Sequence, residues 1–598
     1  MNRARPRTRA ALSALSCLAL LSGLAGCGLP GTSDVVVQER VGDAALPAGD
    51  EGTWPLAQRA SVRDPKEFMR TMLSAAAGDP VEAAKRVRSF GDAPLRSRWE
   101  PPATVHVVDL DEDMAIDPRP GGFEATINVT FLGELADHGV VLPRPRRAAT
   151  YKFDIAEGPD GLYLTAAPPV ILLPAADLRQ YFEQRTLYFW SADGAYLVPD
   201  VRYVPRRDMP RNQWPTLLVQ WLLRGPSPLL RPVVRALPTD ADLVGNVLSQ
   251  DSRWSVNLTQ APDTDGRRLA TQLRWTLAGP TGRADAVTVR VDRDRFGDED
   301  SRYLVANPAY RAEQEPARLC LLAGRVQQIG GPSPGAVSVP YLPAGYRGLV
   351  RAAYQRFGSR RYGVLVRDAG RGRLAVDVAT ADANRFHRIL PTALRARVVG
   401  QPTWVPTREF GLVPVDGALR LVRPSAAAAP VLPGAPGGVT AVAVAPDGRR
   451  VVLVAGGQLY AAALVADGTA ISLTARTPLP LSELTGPTAV AWTAQGAVAV
   501  AGRQPRIGQT QVWSVSVDGA VQEPLQLPNQ GLGTQPITQL SAVVDDPSDT
   551  SPADPVMYEA NKLSYDTVGG SPVTVAELLD PGPGADRRGY PTAPFYLG

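Results

Sequence analysis

Cys27 is the residue near the start of the chain best suited to covalent chemistry, because Leu24-Ala25-Gly26 precedes it. Its thiolate is the one nucleophile there able to take a diacylglyceryl thioether, and the small Ala25 and Gly26 leave room for a peptidase to cut before it. Other suggestive strings fail on their own requirements. Gly331-Pro332-Ser333-Pro334-Gly335 spells G-x-S-x-G, but a nucleophile elbow needs the N–H of the residue after serine. Pro334 has none, so the string reads as a linker turn. Asp109, Asp111 and Asp113 have calcium-loop spacing, yet Met114 stands where glycine is required and Pro120 where glutamate is required. Asp292, Asp294, Asp298 and Asp300 could hold calcium loosely around Gly297, but they read rather as a solvated loop leaving a strand. His106, His138 and His387 share no metal-ligand spacing, and no Gly-Lys-Ser/Thr phosphate loop occurs. No catalytic residue, metal ligand or cofactor is assigned, although distant carboxylates could still converge in the fold.

The segment around Cys27 has the order of a secretory signal. Arg3, Arg5, Arg7 and Arg9 form a cationic start, and an apolar run follows from Ala10 to Leu21. Leu-Ala-Gly-Cys resembles the bacterial lipobox. The competing reading, an uncleaved membrane helix, needs roughly 20 apolar residues, and Gly23, Gly26, Gly28, Pro30 and Gly31 interrupt the run. The expectation is a signal over 1–26 and a Cys27 carrying both S-diacylglycerol and an N-palmitoyl chain. Several acyl chains together hold a protein to the cytoplasmic membrane where one holds it loosely. A flexible tether over 27–62 follows.

The chain has 598 residues, an apolar content of 44% and a formal charge of only +4. It is long enough for several domains. No basic run is interleaved with aromatics, so nucleic acid is not an expected partner. Of the three cysteines, Cys17 leaves with the signal and Cys27 is lipidated, which leaves Cys320 no disulfide partner within the chain. Between Leu319, Leu321 and Leu322 it reads as a small buried hydrophobe.

Three folded units are expected: an α+β unit over 63–178, a second α+β unit over 179–300 and an all-β propeller over 301–598. In the first, Asp64-Pro65 opens a helix whose Phe68, Met72, Leu73 and Ala76 share a face. Another helix over Val81–Phe90 and a run of antiparallel strands follow, suggesting a cystatin-like or NTF2-like order. In the second, strand Leu187–Trp190 turns at Ala192-Asp193-Gly194 and returns. A helix over Trp214–Leu223 stops at Gly225-Pro226, and strand Trp254–Thr259, helix Arg268–Leu277 and strand Val287–Val291 complete the unit. The last part repeats. Trp404-Val405-Pro406, Val444-Ala445-Pro446 and Trp492-Thr493-Ala494 are each followed by a turn and two apolar strands. Pro446-Asp447-Gly448 presets a tight turn with glycine at positive φ. Repeats of this length signal propeller blades, with a β-sandwich as the alternative. Arg318–Ile329 would complete a blade and close the ring with the C-terminus.

The middle unit, over roughly 186–292, resembles the GerMN domain of spore-germination and sporulation proteins, carried by the Asp193-Gly194 turn, Leu223-Arg224-Gly225-Pro226 and Val256-Asn257-Leu258-Thr259. The Ala445–Arg450 repeat resembles those of TolB-like propellers. The whole order, with Tyr590-Pro591 and Phe595-Tyr596 near the end, resembles the LpqB family of actinobacterial lipoproteins. That resemblance implies an extracytoplasmic, non-catalytic regulator touching the outer domain of a sensor histidine kinase of the MtrA–MtrB type, in division and envelope homeostasis. The alternative is a wall-glycan binder or hydrolase using the propeller funnel.

Overall fold

The computed structural model describes Arg59 and residues 62–598, apart from 112–113, 208, 238–239, 251–252, 260–265, 278–285, 292–293, 299–315, 331–338, 358, 383–384, 469, 526–532, 545–555, 567–570 and 582–588. Cys27, the expected signal and most of the expected tether lie outside the described residues, as does the string at 331–335; the end of that tether is packed on the first unit instead, since Arg59 Nη1 donates to Leu162 O at 3.1 Å and Val62 is buried in the N-terminal core.

Three helices open the fold, and all start by one device. Asp64, Asp79 and Asp92 cap α1 (Pro65–Ser74), α2 (Pro80–Arg88) and α3 (Ala93–Arg98), each accepting from a first-turn N–H, with proline within the first two positions. The carboxylate satisfies an orphan donor and the proline fixes φ where no N–H is needed. Phe68, Met72, Leu73 and Ala76 are buried, as their spacing anticipated. The helices cover a sheet of β1 (Val105–Leu110), β2 (Ala115–Arg119), β3 (Gly122–Ala136), β4 (Val140–Gly158), β5 (Gly161–Ala166) and β6 (Ile171–Pro174). Its order is β5-β4-β3-β1-β6, with β2 also on β3 and β1 parallel to β6. Register shifts at Val107/Val108 and Phe131/Gly133 let the long β3–β4 pair bend, as bulges do.

After α4 (Ala175–Tyr181), β7 (Phe182–Trp190) and β8 (Leu197–Pro205) form a hairpin. Helix α5 (Trp214–Arg224) ends at Gly225, whose φ is +96°. A sheet of β9 (Leu248–Gln250), β10 (Arg253–Leu258), β11 (Ala286–Val291) and β12 (Asp294–Asp298) follows. Strands β10 and β11 run parallel, joined through α6 (Gly266–Leu277), whose Leu269, Ala270, Leu273 and Leu277 are buried.

Among the described residues, the rest of the chain forms six sheets. Strands β13 (Arg318–Leu322) and β14 (Arg325–Ile329) come first. Next are β15 (Leu349–Phe357), β16 (Arg360–Asp368), β17 (Leu374–Ala381) and β18 (Phe386–Ala396), then β19 (Thr403–Trp404), β20 (Gly411–Val415) and β21 (Ala418–Val422). They are followed by β22 (Val439–Val444), β23 (Arg450–Ala455), β24 (Gln458–Asp467) and β25 (Ala470–Leu479), and by β26 (Thr485–Ala494), β27 (Ala497–Gln504), β28 (Gln509–Ser516) and β29 (Gln522–Pro524). Last are β30 (Ile537–Ser541), β31 (Met557–Ala560), β32 (Leu563–Asp566), β33 (Leu578–Leu579) and β34 (Thr592–Tyr596). Each group forms an up-and-down meander, except that β33 and β34 return to flank β14 and β13. Phe595 pairs with Leu319 and Leu578 with Ile329, so the first hairpin and the last strands share one blade. Propellers remove most free sheet edge in this way. Where a blade has three named strands, chain covers its outer edge: Leu421 N donates to Pro430 O, and Val573 N to Ser564 O.

Candidate functional site

The three aligned repeats have one structural meaning. Trp404, Val444 and Trp492 lie in the inner strands β19, β22 and β26, and the turns that follow face the β7–β8 hairpin. In the middle repeat, Asp447 Oδ1 accepts from the N–H of Arg449 (2.7 Å) and Arg450 (3.0 Å), while Oδ2 takes Arg450 Nε at 2.8 Å. Gly448 has the expected positive φ, +66°, and a Cβ there would fall 2.1 Å from Thr407 Oγ1 of the preceding blade. Arg450 lies over the Trp492 ring at 4.8 Å and donates to Gln495 O. Adjacent blades are therefore laced together at this face.

Onto the same three turns the second module docks its hairpin. Asp193 Oδ2 accepts from Arg449 Nη2 at 2.7 Å and from Arg408 Nη2. Tyr188 donates its hydroxyl to Gln495 Oε1 at 2.8 Å, and a Cβ on Gly496 would sit 2.7 Å from Val201. The propeller reaches back through β24 and β25, since Ala463 belongs to the second module's core and Val465 and Ala475 pack against it.

A reciprocal contact uses the same short motif. Ser191-Ala192-Asp193-Gly194-Ala195 has a second copy in Ser516-Val517-Asp518-Gly519-Ala520. In both, the serine hydroxyl donates to the aspartate, the alanine N–H donates to that carboxylate, and the following residue's N–H donates to the serine oxygen. The second turn points the other way. Asp518 Oδ1 accepts from Tyr203 of β8 at 3.2 Å, and Ala520 is buried in the N-terminal core. Their electrostatics diverge. Burial would raise the Asp193 carboxyl, but hydrogen bonds from Ser191 and Arg408 and the Arg449 charge hold it well below the usual range. Asp518 forms no ion pair among the described residues, and burial pushes it up despite hydrogen bonds from Ser516, Ala520 and Tyr203. The sequence reading found the first turn and missed the second; the repeated Ser-x-Asp-Gly-Ala string was the signal that could have found it.

Beneath this junction lies the central channel, a cavity of about 730 Å³ lined by β15, β19, β22, β26, β30 and β34, with Tyr196 and Pro199 of the hairpin at its mouth. Its wall is mostly small and apolar, including Ala352, Ala353, Ala443 and Ala491. Among the described lining residues Asp447 is the one acidic side chain.

The other sequence candidates are not brought together. Asp109 lies on β1, its carboxyl raised by burial and by Glu483. Asp113, Asp292 and Asp300 lie outside the described residues. The expected loop around Gly297 is instead strand β12, paired with β11. His106 packs edge-on to Phe131 within β1, as its strand position anticipated. His138 sits in a turn at φ +67° and His387 on β18. No group of three metal-ligating side chains occurs among the described residues. Cys320 is fully buried on β13, with its thiol pushed up to about 12 by that burial. No helix among the described residues is long and apolar enough to cross a membrane.

Comparison with known proteins agrees with this division. Residues 186–294 match the sporulation and spore germination family, Germane, and residues 344–550 match the lipoprotein LpqB β-propeller domain. Lipoprotein LpqB of Mycobacterium paratuberculosis is 26% identical over 505 residues, covering 75% of this chain and 80% of that protein. Those of Corynebacterium jeikeium and Rhodococcus opacus are 25% and 23% identical, covering 85% and 90% of this chain and 86% and 92% of theirs. Among solved structures, an oligogalacturonate lyase in complex with manganese covers 42% of this chain and 70% of its own, at 10% identity and a TM-score of 0.27. That likeness is too slight to bear on fold or chemistry. With a Germane module ahead of an LpqB propeller, and similarity to LpqB proteins along most of its length, the chain belongs to the LpqB-type actinobacterial lipoproteins.

Proposed function

We propose that the protein is held by acyl chains on Cys27 at the outer face of the cytoplasmic membrane. There it acts without catalysis, as an accessory factor contacting the extracytoplasmic domain of a sensor histidine kinase of the MtrA–MtrB type. The observation that carries the non-catalytic reading is the channel lining. Glycoside hydrolysis takes two carboxyl groups about 5–10 Å apart. Asp447, the lining's one described acidic side chain, has Oδ1 engaged by backbone N–H groups and Oδ2 by Arg450. The kinase as partner rests on the family resemblance. Lipid confinement supports it, because anchoring in one layer raises effective concentration towards other membrane proteins.

The test is direct binding of the purified full chain to the isolated outer domain of the kinase, alongside crosslinking in membranes. Saturable binding at tens of micromolar or tighter (about −6 kcal/mol) is expected. No binding at that concentration, together with no crosslinked kinase, ends the proposal. Release of reducing ends from wall glycan by the purified protein would favour the hydrolase reading instead.

A further inference from the structure

Beside the turn that carries Asp193, two arginines form no ion pair with any carboxylate among the described residues. Arg235 follows the segment bridged to Ser191, and its Nε donates to Ala192 O at 2.7 Å. Arg268, in the first turn of α6, lies over the Trp190 ring at 5.5 Å, while its carbonyl accepts from Trp190 Nε1 at 3.1 Å. Both side chains are exposed; the Nε bond holds that of Arg235 and the ring contact orients that of Arg268, and neither contact uses an Nη atom. Both groups converge on the bare Cα of Gly194. From the position a Cβ would take, Arg268 Nη1 is 2.5 Å, Arg268 Cζ 3.6 Å and Arg235 Cζ 3.8 Å away, so the two guanidinium carbons stand within about 7 Å of each other. The neighbouring Asp193 carboxylate is turned to Arg408 and Arg449. Like charges this close repel, screened by water but not abolished, and an anion between them would relieve that repulsion. A carboxylate is satisfied by one guanidinium fork, whereas a tetrahedral oxyanion offers oxygens to two.

We propose that Arg235 and Arg268, pinned on either side of Gly194, form a binding site for a phosphate-class oxyanion, supplied either as free phosphate or as the headgroup of a phospholipid. Gly194 is essential to it, because any side chain would fill the space between the guanidinium groups. The site lies on the hairpin that docks against the propeller turns, so an occupant would sit beside the Asp193 contact.

The test uses the full chain in a neutral maltoside detergent, titrated calorimetrically with inorganic phosphate and, separately, with water-soluble dihexanoyl phosphatidylglycerol. Saturable binding of at least one probe, weakened tenfold or more by the double substitution Arg235→Gln/Arg268→Gln, supports the site. Phosphate binding alone assigns a free anion, and binding of the lipid alone assigns a headgroup. Arg268→Lys, which keeps the charge and loses the fork, should weaken binding less than Arg268→Gln and guards against misfolding of the double variant. If neither probe binds at millimolar concentration, or a folded double variant binds as well as the parent, the proposal is wrong. The outcome is independent of kinase binding.

Discussion

Gly448 shows how one atom can hold two blades in register. Valine there would be strained at φ +66° and would push its Cβ into Thr407 Oγ1. The backbone strain alone costs about 1–3 kcal/mol. Gly448→Val is therefore expected to lower the thermal midpoint clearly; an unchanged midpoint would mean that this turn does not bear on the blades. Cys320 makes a different residue-scale prediction. Fully buried, with its thiolate disfavoured, it should not react with a disulfide reagent until the protein unfolds, and fast native labelling would place it elsewhere. His106 links packing to pH. Burial lowers its folded value below 6.5, against the pull of Glu134. A lowered value means that its stabilising contribution is present above about 6.5 and is lost as pH falls through the folded value. His106→Phe should flatten that part of the midpoint-against-pH curve, and identical curves would refute the assignment. All three positions were legible in sequence because each depends on local rules: a turn dipeptide, flanking leucines, a strand alternation.

The two Ser-x-Asp-Gly-Ala turns are one element in two surroundings, and they should respond oppositely to the same change. Asp193→Asn removes the countercharge of Arg449, whose side chain is 2% exposed. Stripping one partner from a buried ion pair costs several kcal/mol; Asp193 is a third exposed, so screening reduces this to about 1–3 kcal/mol. The folded Asp193 value is depressed, so this contribution exists above about pH 4 and disappears as pH falls below it. Asp518→Asn keeps an oxygen for Tyr203, Ser516 and Ala520 and removes a buried charge, so at neutral pH it should be nearly neutral or stabilising. Equal losses in thermal midpoint for the two variants would contradict this account. Sequence alone reached the Asp193 turn, because Asp-Gly between two apolar runs is a local signal. It could not reach Arg408 or Arg449 as partners, since nothing short-range in the chain records which surface a turn will meet. Nor could the loop expected around Gly297 be told from an edge strand, because acidic residues suit either.

At the scale of the molecule, the N-terminal unit, the Germane module and the propeller share buried contacts: Tyr203 with Asp518, Ala520 in the first core, Ala463 in the second. Their order and kind were legible from periodicity and repeat; the faces they share were not, because docking surfaces carry no period. Cys27→Ala is expected to leave an unlipidated, unprocessed precursor, checked by loss of acyl label and by fractionation. A variant that migrates and fractionates like its parent would remove the anchor from the proposal. The pairing of β34 with β13 has one more consequence, for the order of events in time. Thr592 donates to Leu321 O across 271 residues of sequence. A chain made from its N-terminus holds the Arg318–Ile329 hairpin open-edged until that last strand appears, on the order of tens of seconds at ribosomal rates. Contacts so distant in sequence also make refolding slow. For that interval the unfinished blade is a sticky surface, and the cell must keep it from pairing with a stranger's strand.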